Sequence, residues 1–377
     1  MIFVKRLYVM LLLLLVPGSG FAGMKVKKET SKQEKKAVEQ KKGRKKKAKK
    51  LPIVFHEKYD ISFYGLEKLH PFDSKKYGKA FEYLKTHAGI KESQVFVPDL
   101  VTHDELLKVH TERYLESLGE SATVASIAEM PVLGWVPGCL HNMLLQDCLL
   151  TPMKYATKGT VMAAELALKH GWAINLSGGY HHAKEDSGGG FCFFADIPLA
   201  IYQVLDNHPE ISKVLIVDLD AHQGNGHASI CGQGRYEDKV DIFDVFNEQI
   251  YPHDTAAKKF ITYKHPVKSG IKDKAYLKII REELPEAIEE SEPNLIVYNA
   301  GTDPLDGDPL GRMEISEKGM IKRDELVFKC AREKNIPIVM VLSGGYTKQS
   351  ARLIGKSCHN ILSNVLEIPG IKKSTPG

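Results

Sequence analysis

Asp220, His222 and Asp303 are the residues whose types and spacing could hold a metal ion. Asp220 and His222 stand two apart in "DLDAHQG", so on an extended strand end both side chains aim the same way. Asp303, in "AGTDP", adds a carboxylate from a second apolar run. Two carboxylates and one imidazole, with a fourth position open, are the ligand set of a catalytic zinc ion. Alone, D-x-D-x-H reads more readily as a capping and turn cluster; the placement of Asp303 favours the metal.

Next to this set the chain needs groups that move protons. "NLSGGYHHAKEDSGGGFCFF" carries His181 and His182 side by side, between two glycine-rich turns. Hydrolysis of an amide needs a base to take a proton from water and an acid to give one to the leaving amine. Glycines before the pair permit positive φ and a close backbone approach. A second "SGG" precedes Tyr346, whose phenol could donate a hydrogen bond to a developing oxyanion or simply pack over a turn.

These residues need a frame. "WAINL" (172–176), "KVLIVDL" (213–219), "VDIFDVF" (240–246), "NLIVYNA" (294–300) and "IPIVMVL" (336–342) are short, continuous apolar runs, as expected of strands buried on both faces. Between them, 159–170, 196–207, 274–291 and 318–335 read as helices. Strand–helix alternation predicts an α/β domain with a parallel sheet between helical layers. Sites in such sheets form at the carboxyl ends of strands, and the candidate residues follow those ends.

The 377 residues are 43% hydrophobic and 26% charged, with a net charge of +5, ordinary for a globular protein. The charge is unevenly spread. Residues 24–50 hold thirteen Lys, one Arg and three Glu; with Lys5 and Arg6 the first fifty residues carry +13, which leaves −8 on the rest. Residues 1–22 read as a secretory signal peptide: a basic start, a short apolar core "LYVMLLLLLV" and small residues near Ala22. An uncleaved membrane anchor is the alternative. Residues 23–50 read as a disordered basic tail, either a solvated linker or a patch for nucleic acid or an anionic surface. The expected location is therefore periplasmic or secreted, or a host nucleus if the chain is a secreted effector. Six cysteines at 139, 148, 192, 231, 330 and 358 show no zinc-finger spacing; buried thiols are the default, with one or two bridges open to an exported chain.

The strings "SGGYHHAKEDSGGGFC", "DLDAHQGNGH", "YNAGTDPLDGDPLG" and "SGGY" resemble the histone deacetylase family. "FYGLEKLHPFD", "VHTERYL", "GWAINLSGGYHH" and "KRDELVF" resemble its class IV branch in particular. The resemblance spans about residues 52–366 and implies the three-layer α/β/α arginase/deacetylase fold, with a mainly parallel sheet of about eight strands, in a catalytic domain over 51–370. It implies Zn²⁺ on Asp220, His222 and Asp303, His182 as general base, His181 as its electrostatic partner or acid, and Tyr346 polarising the acyl carbonyl. Asp218 would orient His181. Gly190, Phe191 and Tyr251 would wall a tunnel for the lysine side chain. Asp218 and Asp244 match a site for a monovalent cation such as K⁺. Asn225 departs from the commoner family pattern, which has Asp there to orient the second histidine.

The implied function is removal of acyl groups, acetyl or long-chain fatty acyl, from lysines of proteins such as histones. Acetylpolyamine or other small acyl-amine hydrolysis on the same fold is the nearest alternative. A non-catalytic module that recruits partners through the basic tail is the alternative from another class.

Overall fold

The computed structural model describes residues 50–62, 73–135 and 142–374. The signal-peptide reading, all but the last residue of the basic tail, Cys139 and nearly all of "FYGLEKLHPFD" lie outside the described residues.

Seven strands form one sheet: β1 (Ile53–Val54), β2 (Trp172–Asn175), β3 (Val214–Asp218), β4 (Val240–Asn247), β5 (Tyr263–Val267), β6 (Leu295–Asn299) and β7 (Ile338–Val341). Their order is β1-β2-β7-β6-β3-β4-β5, and every pair is parallel. The five apolar runs became strands because each is buried on both faces; every residue of β2, β3, β6 and β7 is buried. Among the described residues the sheet has seven strands, in line with the expected parallel sheet of about eight. Two of the seven, β1 and β5, gave no apolar run in the sequence: β1 is two residues long, and β5 ("YKHPV") is mostly polar.

Seven helices of eight or more residues are used below: α1 (Lys76–Tyr83), α2 (Thr151–His170), α3 (Asp196–Asn207), α4 (Asn225–Gln233), α5 (Asp273–Ser291), α6 (Glu317–Glu333) and α7 (Ser350–Asn360). α2, α3 and α4 pack together on one side of the sheet, and α5, α6, α7 and α1 on the other. α2 ends on Gly171 in the left-handed region (φ 80°), which lets the chain turn directly into β2. α6 starts on Ser316, whose hydroxyl accepts from Gly319 N at 3.0 Å. No helix of the described residues is long and apolar enough to cross a membrane. Cys192, Cys231, Cys330 and Cys358 are free thiols.

Four adjacent strands, β2-β7-β6-β3, send out the loops "SGGYHH", "SGGY", "AGTD" and "DLDAHQ". The order explains why segments so distant in sequence meet. β2 and β3 are not neighbours; β7 and β6 lie between them. Ligand sites of open α/β sheets form where strand order breaks in this way.

His110, from the "VHTERYL" segment, braces the turn before α3. Its Nε2 accepts from Ala195 N at 2.9 Å, and its Nδ1–H faces Glu185 O at 3.3 Å. Burial lowers its pKa to about 4, against an unperturbed 6.5. The unfolded chain therefore takes up a proton below pH 6.5 that the folded chain refuses until about pH 4. Its contribution is complete above pH 6.5 and is lost as pH falls toward 4, by up to about 3 kcal/mol. Denaturant unfolding at pH 7, 6 and 5 should show this slope in the wild type and a shallower one in His110→Gln. Identical slopes would remove His110 as the cause.

Candidate metal and catalytic site

The loop after β2 turns on Gly178 (φ 76°) and Gly179 (φ 84°). A Cβ at Gly179 would lie 2.3 Å from Asn299 Oδ1 and 2.8 Å from Ser343 Cβ, so only glycine lets β2, β6 and β7 close here. Asp196, the first residue of α3, fixes the loop: its carboxylate accepts from Gly179 N and Tyr180 N, each at 2.8 Å, and from Thr160 Oγ1 at 2.6 Å. The tandem histidines thus sit on an over-determined turn. Both are nearly inaccessible, at 3% and 6% exposure.

The row Asp244–Asp218–Asn299 crosses β4, β3 and β6 in register. Asp218 Oδ2 accepts from His181 Nδ1 and from His227 Nε2, each at 2.8 Å. Its Oδ1 accepts from Asp220 N (3.1 Å) and Asn299 Nδ2 (3.0 Å). Burial opposes ionisation of Asp218, but His181, with His227, outweighs it and holds the carboxyl at about 2. Asp244 accepts from Gly224 N at 3.0 Å through Oδ2, while its buried Oδ1 has no partner. Burial, reinforced by the Asp218 charge, pushes its carboxyl well above the usual range. An orphaned buried carboxylate oxygen beside a second carboxylate fits a monovalent cation.

Asp220, His222 and Asp303 meet as one buried set, with a ligand atom from each within 4.8 Å of the others. His222 Nδ1 lies 3.0 Å from Asp220 Oδ1 and 3.0 Å from Asp303 Oδ2. A Cβ at Gly344 would fall 2.3 Å from Asp303 Oδ2 and 2.6 Å from Asp220 Oδ2, so glycine keeps that side of the set open. Burial and then the Asp220 charge push Asp303 up to about 7. Burial works against a charge on His222, yet Asp220 and Asp303 together raise it to about 10. A converging nitrogen and two carboxylates, short of positive charge, suit a divalent cation of borderline softness such as zinc.

The two histidines are driven apart. For His181, Asp218 and Asp220 outweigh burial and raise the pKa to about 9. His182 is held well below its usual value by burial and then by His181 and His222. At neutral pH one ring is charged and the other neutral. His182 Nδ1 bonds Asn225 Oδ1 at 2.8 Å. The Asn225 amide is oriented by its Nδ2, which donates to Asp254 Oδ2 at 3.2 Å; Asp254 in turn takes Lys184 Nζ at 2.7 Å. Nδ1 of His182 is therefore the protonated nitrogen, and Nε2 keeps its lone pair. The carboxylate missing at Asn225 is present one hydrogen bond further out.

Tyr346 is held through its backbone, N to Asp308 Oδ2 at 2.8 Å. Its ring stands 5.9 Å from Phe191 and 6.2 Å from His222. Burial, then the charges of Asp303 and Asp220, hold the phenol protonated. Gly190 (φ 50°) passes so close to His182 that a Cβ would meet its ring at 2.4 Å. Tyr251 packs edge-on to His182 at 4.9 Å and is 44% exposed. Gly190, Phe191 and Tyr251, with Leu310, line the cleft that leads from the surface to His182, His222 and Tyr346.

Residues 70–362 match the family of the histone deacetylase domain. The chain belongs to the histone deacetylase family. Histone deacetylase 2 of Arabidopsis thaliana is 47% identical over 312 residues, 83% of this chain and 79% of that protein. An uncharacterized protein of Picosynechococcus is 28% identical, over 83% of this chain and 97% of its own length. Histone deacetylase 1 of Homo sapiens is 26% identical over 78% of this chain and 61% of its own. The crystal structure of the HDA15 HD domain superposes with a TM-score of 0.67 at 20% identity, covering 87% of this chain and 92% of that one. The fold is thus the arginase/deacetylase fold, and the chain is a histone deacetylase-family hydrolase.

Every candidate site residue of this hydrolase is drawn to one end of its sheet. Four contributors escaped the sequence reading. Asp254 and Asp308 sit in turns, where Asp is commonplace. Asp196 was read only as the start of a helix. Lys76 is fully buried, and lysine gives no signal for that. Its Nζ donates to Ser343 O and Gly344 O at 2.7 and 2.8 Å, beneath the turn that carries Tyr346. Burial lowers it to about 8, against the opposing pull of Asp303, Asp220 and Asp308.

Gly179→Ala should cost on the order of 2–3 kcal/mol of stability, because strain at positive φ adds to the clash with Asn299 and Ser343. Gly307→Ala (φ 82°, nothing within 4 Å of its Cβ) isolates the strain alone and should cost about 1 kcal/mol. Equal losses in denaturant unfolding would show that the close approach carries no weight.

Proposed function

We propose that the chain is a zinc-dependent lysine deacylase of the class IV type, acting on acyl-lysine side chains of proteins. The observation that carries this reading is the pair of adjacent buried histidines, one bonded to the Asp218 carboxylate and the other to the Asn225 amide, beside a buried Asp–His–Asp set. Environments that push two like groups apart mark acid–base assignments.

Zinc held by Asp220, His222 and Asp303 would supply a Lewis acid that polarises the amide carbonyl and acidifies water. Nε2 of His182 is the neutral base that accepts the water's proton and then gives it to the departing lysine amine, and Asn225 holds the ring in the tautomer that leaves Nε2 free to do so. His181, charged and bound to Asp218, stabilises negative charge at the reacting centre. The protonated Tyr346 phenol donates to the developing oxyanion. Phe191, Gly190 and Tyr251 confine the alkyl stem of the lysine and keep bulk water from the centre.

The acyl chain has a second space available. An apolar cavity beside His181, His182 and Tyr346 is lined by Met130, Leu133, Leu149, Met153 and Phe193. Phe191 and Phe193 form part of its wall without closing it. Phe194 does not line it and is buried beside His110 (ring centroids 6.3 Å apart). This cavity supports a preference for long fatty acyl groups over acetyl, since each buried CH₂ adds about 0.8 kcal/mol of binding.

Purified wild-type protein should hold about one zinc per chain, and Asp303→Asn should lose both metal and turnover. Tyr346→Phe should keep the metal and lose about 10²–10³ in kcat; an unchanged rate would reduce Tyr346 to packing. On matched peptides, kcat/KM should be higher for myristoyl-lysine than for acetyl-lysine. Faster turnover of acetyl-lysine would contradict the acyl preference. Faster turnover of N-acetylspermidine than of any peptide would point to a small-amine hydrolase.

A further inference from the structure

The long side chain of Arg323, on the second turn of α6, is fully buried. Its guanidinium spans two strand ends. Nη1 donates to Leu219 O at 3.0 Å and to Gly301 O at 2.7 Å, and Nη2 to Ala300 O at 3.3 Å. Nε donates to Asp324 Oδ1 at 2.8 Å. Leu219 immediately precedes Asp220, and Gly301 stands two residues before Asp303. The β3–β6 pairing ends at Asp218 opposite Asn299, with a last bond from Leu219 N to Asn299 O at 3.0 Å, so the ladder stops just where the ligands begin. The two segments also touch there: a Cβ at Gly301 would lie 2.0 Å from Asp220 Oδ2.

We propose that Arg323 is a positioning residue for the metal ligands, tying the strand end of Asp220 to that of Asp303 and thereby setting how tightly the site holds its cation. The inference rests on the metal reading above. Packing alone does not call for this residue. A buried guanidinium is costly to desolvate, and an apolar side chain of similar volume commonly fills such a space as well or better. The cost is offset here by Asp324, which also accepts from Tyr298 and Ser357, and by three carbonyls that the ladder no longer serves. Lysine could not replace it, because a single ammonium lacks the planar fork that reaches carbonyls on two strands at once. Tyr276 adds a weaker tie, its hydroxyl donating to Leu219 O at 3.3 Å.

The test compares wild type with Arg323→Met, Arg323→Lys and Tyr276→Phe, and with Leu284→Ala as a fully buried packing control on α5. Zn²⁺ affinity is read by chelator competition, ligand geometry by the visible spectrum of the Co²⁺ form, and stability by thermal unfolding. Arg323→Met should bind Zn²⁺ about 10–100-fold more weakly, the usual effect of losing a group that orients ligands, with an altered Co²⁺ spectrum. Arg323→Lys should recover only part of the affinity. Leu284→Ala should lose stability and keep wild-type affinity. A folded Arg323→Met with wild-type Zn²⁺ affinity would overturn the proposal and leave Arg323 a structural strut. If that variant does not fold, wild-type affinity in both Arg323→Lys and Tyr276→Phe overturns it equally. A wild-type chain that binds neither ion overturns the metal reading and this inference together, which separates the two failures.

Discussion

Asp218, Asp220, Asp244, Asp303 and Asp308 are all buried at one end of one sheet, and five carboxylates so close cannot all ionise without compensating positive charge. Much of the local architecture supplies that charge or removes its need. His181 and His227 share Asp218, and His222 lies between Asp220 and Asp303. Lys76 is pinned beneath the turn of Tyr346, where Asp303, Asp220 and Asp308 act on it. The carboxyls left raised are those of Asp303, Asp308 and Asp244, at the two candidate cation sites. The same surplus of negative charge that would unfold a smaller domain is what makes this end of the sheet fit for cations.

The compensation also divides labour between identical side chains. His181 and His182 are neighbours in sequence with rings 4.1 Å apart, yet one faces a carboxylate and the other an amide. Burial, with His181 and His222 beside it, keeps the His182 ring neutral. An aspartate in place of Asn225 would add a charge there and raise its basicity; the amide does not add one, while Asp254 and Lys184 hold the geometry.

The sheet and the site differ in how far sequence reveals them. The strands of 214–218, 295–299 and 338–341 announce themselves because burial on both faces demands uninterrupted apolar residues. Helix 196–207 is visible to its ends because Asp196 opens it and the polar turn 208–210 follows it. Asp220, His222, Asp303 and the tandem histidines were legible because metal and proton chemistry restrict residue type and spacing. Lys76, Asp254 and Asp308 were not. Each acts through contacts distant in sequence, and nothing local distinguishes a buried lysine or a turn aspartate from a solvated one. β1 and β5 escaped for the opposite reason: their pairing is made by their neighbours rather than by their own pattern.

Those two weak strands are the borders of the sheet. Outside β1, the segment 94–96 lies against the backbone, with Phe96 N to Ile53 O at 2.8 Å and Phe55 N to Phe96 O at 3.0 Å. On the far border β5 carries Lys264, His265 and Pro266; a charged side chain and a residue with no N–H to offer are poor templates for strand addition. A sheet this apolar could in principle recruit a strand from another copy and grow into aggregates. One margin is sheathed and the other is chemically blunted, so neither offers a ready template for a strand from another copy.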